Sequence, residues 1–152
     1  MARVPTLLTL GGQPLGMPVG TDAELREILS SETIAVVGCS GTPGKDAHEI
    51  PRYLVEQGYD VVPVNPNREE VLGRPAYDSL DEVAKRIDVV DVFRPSDEVA
   101  GIVDSTLDRE DAAVIWLQLG IHDADAVERA EAAGKRVVQD QCIKVEHARL
   151  FG

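Results

Sequence analysis

The sequence predicts an α/β fold: a doubly wound, mainly parallel five-stranded sheet with helices on both faces. Three observations lead there. Apolar segments and amphipathic segments alternate five times along the chain. The apolar segments carry hydrophobic residues at consecutive positions, as strands covered on both faces do. The first of them, Ile34 to Val37, runs straight into a loop of Gly38, Gly41 and Gly44 with Lys45 at its exit.

The elements follow in order. Thr21 and Asp22 precede AELREILSS, where Leu25, Ile28 and Leu29 fall at helical spacing and Glu24 sits in the first turn, so an N-terminal amphipathic helix is expected. After the strand and glycine loop, His48 to Gln57 reads as a helix that stops at Gly58, with Pro51 in its first turn, where a missing N–H costs little. Asp60 to Val64 is the second strand, and Pro63 weakens it or marks it as an edge. Ser79 opens a short helix, LDEVAKRI, before the third strand, Asp88 to Phe93. Ser96 has the form of an N-cap for a helix whose buried stripe is Val99, Ile102, Val103 and Leu107. Ala112 to Leu117 is the fourth strand, Asp123 to Ala133 an acidic helix with a solvated face, and Arg136 to Val138 the fifth strand. A helix from Ile143 to Leu150 ends the chain. Right-handed crossovers give a Rossmann-like sheet, with strand order 3-2-1-4-5 expected. Ligands of such sheets bind beyond the carboxyl ends of the strands, where the winding reverses beside the first strand.

Residues 21–152 form one predicted domain, preceded by an irregular N-terminal arm over residues 1–20 that contains Pro5, Pro14 and Pro18 and lacks the features of a signal peptide. Of 152 residues, 43% are hydrophobic and 28% charged, which is ordinary for a soluble globular protein, and no apolar run is long enough for a membrane span. Fifteen basic residues against 27 acidic ones leave a net charge of −12. That balance argues against non-specific nucleic-acid or acidic-membrane binding, and admits a polyanionic small ligand only where basic residues cluster. Cys39 and Cys142 form no CxxC or zinc-type spacing, so free thiols, a cytoplasmic location and no metal site are expected.

The glycine loop, GCSGTPGK, departs from the dinucleotide fingerprint GxGxxG, since Ser40 and Pro43 occupy the second and third glycine positions. It is also not a P-loop, because Asp46 follows Lys45 where a magnesium-binding Ser or Thr is needed. Gly38, Gly41 and Gly44 can form a backbone anion nest, with the Ser40 hydroxyl and Lys45 adding a hydrogen bond and a charge. The same residues also suit a turn that binds nothing. At the end of the second strand, NAD-binding domains place a carboxylate for the ribose 2′-hydroxyl. Here Asn65 and Pro66 stand there, either as part of a site or as a turn initiator, and Lys45 and Arg68 nearby suit a ribose phosphate. Arg94 has the planar fork that phosphate oxygens match, unless it is spent on a surface ion pair. Gln118 and Gly120, after the fourth strand, offer a side-chain amide and a bare backbone to a ligand with amide groups, whereas Trp116 reads as core. Glu146 and His147 are adjacent and diverge by about 100° on a helix, so they make no dyad. Cys142 and His147 can pair only across a bend, and Cys39 reads as filling a small space in the loop.

Five ordered segments resemble a known family: VVGCSGTPGK, PRYLVEQGYDVVPVNP, DVFRP at Asp91 to Pro95, WLQLGI at Trp116 to Ile121, and DQCIKVEHARLF from Asp140 to Phe151. They are similar to the small stand-alone CoA-binding domain proteins, which are themselves similar to the CoA-binding N-terminal domain of the succinyl-CoA synthetase α subunit. The resemblance spans residues 21–152. It implies that the glycine loop, with Gly38, Cys39, Ser40, Gly44 and Lys45, borders the pyrophosphate of CoA or an acyl-CoA. Asn65 and Pro66 would border the adenosine and its 3′-phosphate, and Phe93, Arg94 and Pro95 would wall the nucleotide. Synthetases of that type need a phosphorylated histidine from a further domain, and none of His48, His122 and His147 fits that role.

The resulting expectation is a non-catalytic protein that binds CoA or an acyl-CoA, with a small molecule as its partner and its oligomeric state open. Two alternatives stand beside it. One is an enzyme, either a Rossmann-type oxidoreductase or a thiol acyl-carrier using Cys142. The other is a CoA-sensing regulatory subunit that docks on another protein.

Overall fold

A computed structural model of the chain describes residues 20–152 and the backbone of two short segments, Thr9–Leu10 and Gln13–Pro14, which pair antiparallel. The rest of the predicted N-terminal arm lies outside the described residues. Five parallel strands form the central sheet: β1 (Thr33–Val37), β2 (Asp60–Val64), β3 (Val89–Val92), β4 (Val114–Leu117) and β5 (Arg136–Val138). Five helices flank it: α1 (Asp22–Leu29), α2 (Asp46–Glu56), α3 (Val99–Leu107), α4 (Ala124–Ala132) and α5 (Ile143–Phe151). The predicted α/β class and doubly wound, Rossmann-like architecture are present.

Strand alternation divides the core into two layers. Ile34, Val36, Trp116 and Val138 face α1, α2 and α5, where Leu25, Ile28, Leu54 and Ile143 meet them. Ala35, Val90, Val92, Ile115 and Leu117 face α3 and α4, where Val99, Val103, Ala126 and Ala130 meet them.

The strand order is 2-1-3-4-5 and not the expected 3-2-1-4-5. The reason lies in the connection from β2 to β3. It carries no α-helix: a short antiparallel pair, Glu70–Val71 with Arg74–Pro75, is followed by a single 3-10 turn, Leu80–Glu82, in place of the helix expected from Ser79. Leu80, Val83 and Ile87 of this segment pack on the α3/α4 face, opposite to α2. A right-handed crossover on that face must carry the chain back past β1, so β3 pairs with β1 (Val36↔Asp91, Val37↔Val92) and β2 becomes an edge. Pro63 agrees with that edge. Its carbonyl accepts from the Tyr77 N–H at 3.0 Å on the outer side, so the missing N–H of the same residue also faces outward, where a further strand would need it.

Two other boundaries differ. Helix α2 begins at Asp46, two residues before the expected start, which puts Pro51 in its second turn. Ser96 does not cap α3: a 3-10 turn, Ser96–Glu98, leads into that helix, and the Ser96 hydroxyl accepts the His122 N–H at 3.0 Å. Among the described residues no helix is long and apolar enough to cross a membrane.

Candidate functional site

With this order, the winding reverses between β1 and β3, and a crevice opens beyond their carboxyl ends. A cleft of about 750 Å³ lies there, within the ordinary range of ligand pockets. Three loops build it. The β1–α2 loop supplies Gly38, Ser40 and Lys45, with Ala47 from the first turn of α2 behind them; the end of β2 supplies Asn65 and Pro66; and the β3–α3 loop supplies Phe93 and Arg94.

The chain folds so that the first loop is held from several sides. The Gly38 N–H donates to the Val64 carbonyl at 2.9 Å, which extends the β1–β2 ladder past the last strand residue. Gly38 has φ +91°, and a Cβ there would lie 2.8 Å from Arg94 Cδ and 3.1 Å from the Phe93 carbonyl oxygen. Only glycine lets the β1 and β3 loops approach this closely. Asn65 is a turn initiator and a loop anchor together: its Oδ1 accepts the Asn67 N–H at 2.8 Å, and its Nδ2 donates to the Cys39 carbonyl at 2.9 Å. The Ser40 N–H donates to the Ala47 carbonyl at 2.8 Å, and His48 Nδ1 lies 2.7 Å from the Ser40 carbonyl. The Ser40 hydroxyl accepts the Thr42 N–H at 3.0 Å, which leaves its own proton free to donate. Lys45 occupies the N-cap of α2 without a side-chain cap bond, so the positive end of that helix opens toward the loop.

Charge is divided across the cleft. Lys45 and Arg94 contribute positive charge, and Arg68 lays its guanidinium on the loop, where a Cβ at Gly41 would lie 2.6 Å from its Cζ. Asp78, Asp97 and Glu98 line the cleft as well, and Arg94 makes a bidentate pair with Glu98, Nε to Oε1 at 3.0 Å and Nη2 to Oε2 at 2.6 Å. Nothing in the sequence signals that Asp78, Asp97 or Glu98 would line the cleft, since Arg94 precedes the 3-10 turn and no helical spacing links it to Glu98. Gly101 and Ser105, about one helical turn apart on α3, also line the cleft, and the apolar spacing of that helix, which marks only its buried stripe, gives no sign of them.

Seven of the expected residues therefore meet at one cleft: Gly38, Ser40, Lys45, Asn65, Pro66, Phe93 and Arg94. The other five lie off it. Cys39 is fully buried, and burial with the nearby Asp91 pushes its thiol up to about 12. Gly44 is exposed, and its N–H donates to Glu49 Oε2 at 3.1 Å. Pro95 begins the 3-10 turn on the outside of the β3 loop. Gln118 is 4% exposed; its Nε2 donates to Asp91 Oδ1 and its Oε1 accepts the Ile143 N–H at 3.3 Å. The Gly120 N–H donates to Asp140 Oδ1 at 2.6 Å.

Cys142 is a half-buried free thiol at the N-cap of α5. His147 is buried among Tyr53, Tyr59 and Phe151, with the Tyr53 hydroxyl 2.8 Å from its Nδ1, and burial lowers its pKa. Neither lines the cleft. Among the described residues no group of three or more His, Cys, Asp or Glu could hold a metal ion.

A family whose profile is described as a CoA binding domain matches residues 32–148. The chain is 41% identical over 127 residues to the uncharacterised protein YneT of Bacillus subtilis, covering 83% of this chain and 93% of that protein. It is 30% identical over 129 residues to the alpha subunit of the ADP-forming acetate–CoA ligase II of Pyrococcus furiosus, covering 77% of this chain but only 28% of that protein. Among solved structures, a hypothetical protein from Pyrococcus horikoshii superposes with a TM-score of 0.85 at 40% identity, over 90% of this chain and 97% of the other. A Thermus thermophilus protein superposes with a TM-score of 0.81 at 43% identity, over 87% of this chain and all of the other.

Proposed function

This chain belongs to the CoA-binding domain family, and from that premise we propose that it binds CoA or an acyl-CoA in the β1/β3 cleft without catalysing a reaction of its own. The observation that carries the reading is the convergence of anion-binding groups on one crevice: the close-approach backbone at Gly38, the free hydroxyl proton of Ser40, Lys45 at the start of α2, and the Arg94 fork. The pyrophosphate lies on the β1–α2 loop, where backbone N–H groups and a helix N-terminus suit an anion. Asn65 and Pro66 border the adenosine, and Phe93 supplies an apolar wall.

Three groups with nucleophile or base chemistry are held in structural roles and the Cys142 thiol does not line the cleft, which supports binding over catalysis. His48 holds the Ser40 carbonyl, His147 is enclosed by aromatic rings, and Cys39 is buried with a thiol that stays protonated at neutral pH. In the acetate–CoA ligase relative, the matched region is a minor part of a longer protein, so a ligand-holding role separable from the rest of the machinery is consistent with the match.

Calorimetry with CoA, dephospho-CoA, acetyl-CoA and NAD in parallel tests the proposal. Binding of CoA, weaker binding of dephospho-CoA and no binding of NAD are expected. Equal binding of CoA and NAD, or NAD binding alone, overturns it.

A further inference from the structure

The interior of α2 contains a proline that no feature of the helix requires. In an α-helix the N–H of residue 51 would bond the carbonyl of residue 47. Pro51 has no N–H, and its ring presses on that carbonyl, so a proline here weakens the helix. The Ala47 carbonyl is nonetheless satisfied, because the Ser40 N–H donates to it at 2.8 Å. The next residue of the helix, His48, places Nδ1 2.7 Å from the Ser40 carbonyl. Both backbone groups of Ser40 are thus held by consecutive residues in the first turn of α2, and Ser40 and Ala47 both line the cleft.

We infer that Pro51 is a positioning residue for the ligand loop: by withholding its own N–H from α2, it leaves the Ala47 carbonyl to the Ser40 amide and so sets the loop in its binding shape. The inference rests on the proposed binding of CoA by this loop. An ordinary residue at position 51 offers a local donor for the Ala47 carbonyl. A bond four residues apart within a helix forms at less entropic cost than one that pins a loop, so the loop bond would lose the competition. The side chain itself is buried, so a packing role is the alternative to be separated.

Pro51→Ala separates them, because the two roles predict opposite patterns. Positioning predicts an unchanged or raised Tm, amide hydrogen exchange at Ser40 at least tenfold faster, and a Kd for CoA at least fivefold weaker by calorimetry. Packing alone predicts a lowered Tm with Ser40 exchange unchanged, and that result overturns the inference. His48→Phe, with Pro51 in place, removes the second hold and is expected to weaken CoA binding in the same direction. A Ser40 amide that exchanges freely in the wild-type protein, or a Pro51→Ala variant that fails to fold, also overturns it. Exchange is read without ligand, so it distinguishes the two failures. No heat with CoA from the wild-type protein, together with the expected exchange change in Pro51→Ala, rejects the ligand and, with it, the binding role of Pro51. Altered exchange with unaltered CoA affinity rejects only the latter.

Discussion

Arg94 carries the sharpest residue-scale consequence. Its fork is occupied by Glu98 one turn away, yet the two side chains are 46% and 44% exposed, so the pair adds little to stability. It matters for binding instead, because a phosphate and the Glu98 carboxylate compete for the same planar donors. Glu98→Gln is therefore expected to strengthen CoA binding severalfold, more at low salt than at high, while changing stability by less than about 0.5 kcal/mol. Calorimetry at two ionic strengths checks it; weaker binding would mean that Glu98 instead aims Arg94 at the ligand. Arg94 could be picked out in the sequence because a lone arginine directly after an apolar strand has a place in this topology. Its partner depended on a 3-10 turn starting at Ser96, which brings residues 94 and 98 to one side. Spacing alone leaves that geometry open.

Elements were legible where local chemistry decides them. Helix α1 shows this, since Thr21 and Glu24 form a complete capping box: the Thr21 Oγ1 accepts the Glu24 N–H at 3.1 Å, and Glu24 Oε1 accepts the Thr21 N–H at 2.9 Å and the Gly20 N–H at 3.1 Å. Thr21→Ala is expected to cost about 1–2 kcal/mol in denaturant unfolding, and Thr21→Ser to recover most of it. Elements were misread where tertiary partners decide. The segment after Ser79 has helical spacing but folds as one 3-10 turn, because Arg109 donates to the Leu80 and Val83 carbonyls at 2.9 Å each and so takes acceptors that a longer helix would need. Apolar spacing places the start of α2 at His48 with Pro51 in the first turn, but the helix begins at Asp46 and Pro51 falls in the second turn, where its missing N–H leaves a carbonyl unbonded. That carbonyl is satisfied from outside the helix.

At the scale of the whole molecule, strand order decided which loops meet. In the expected order β4 would adjoin β1 and bring Gln118 and Gly120 beside Gly38; in the observed order β3 stands between them and brings Arg94 there instead. The cleft was still legible, because both orders reverse beside β1, whereas the order itself hinged on which face the helix-poor β2–β3 connection crosses. The same placement of β3 seals Asp91 in the core, with Oδ1 bonded to Gln118 and Oδ2 without a partner among the described residues. Burial, only partly offset by the Gln118 bond, pushes its carboxyl up to about 8. A group whose folded pKa lies above its unfolded value holds its proton more tightly in the native state, so its contribution is fully present below about 3.8 and is lost as pH rises through about 8. Burial of His147 acts in the opposite sense: its lowered pKa contributes stability above the unfolded value, which is lost as pH falls. Asp91→Asn removes the first effect and leaves the second, so the difference in unfolding free energy between variant and wild type isolates Asp91. Between pH 5 and 7.5 that difference is expected to grow in favour of the variant by about 1.4 kcal/mol per pH unit. Urea unfolding across this range measures it, and a difference that stays flat with pH would show that Asp91 is ionised in the folded protein.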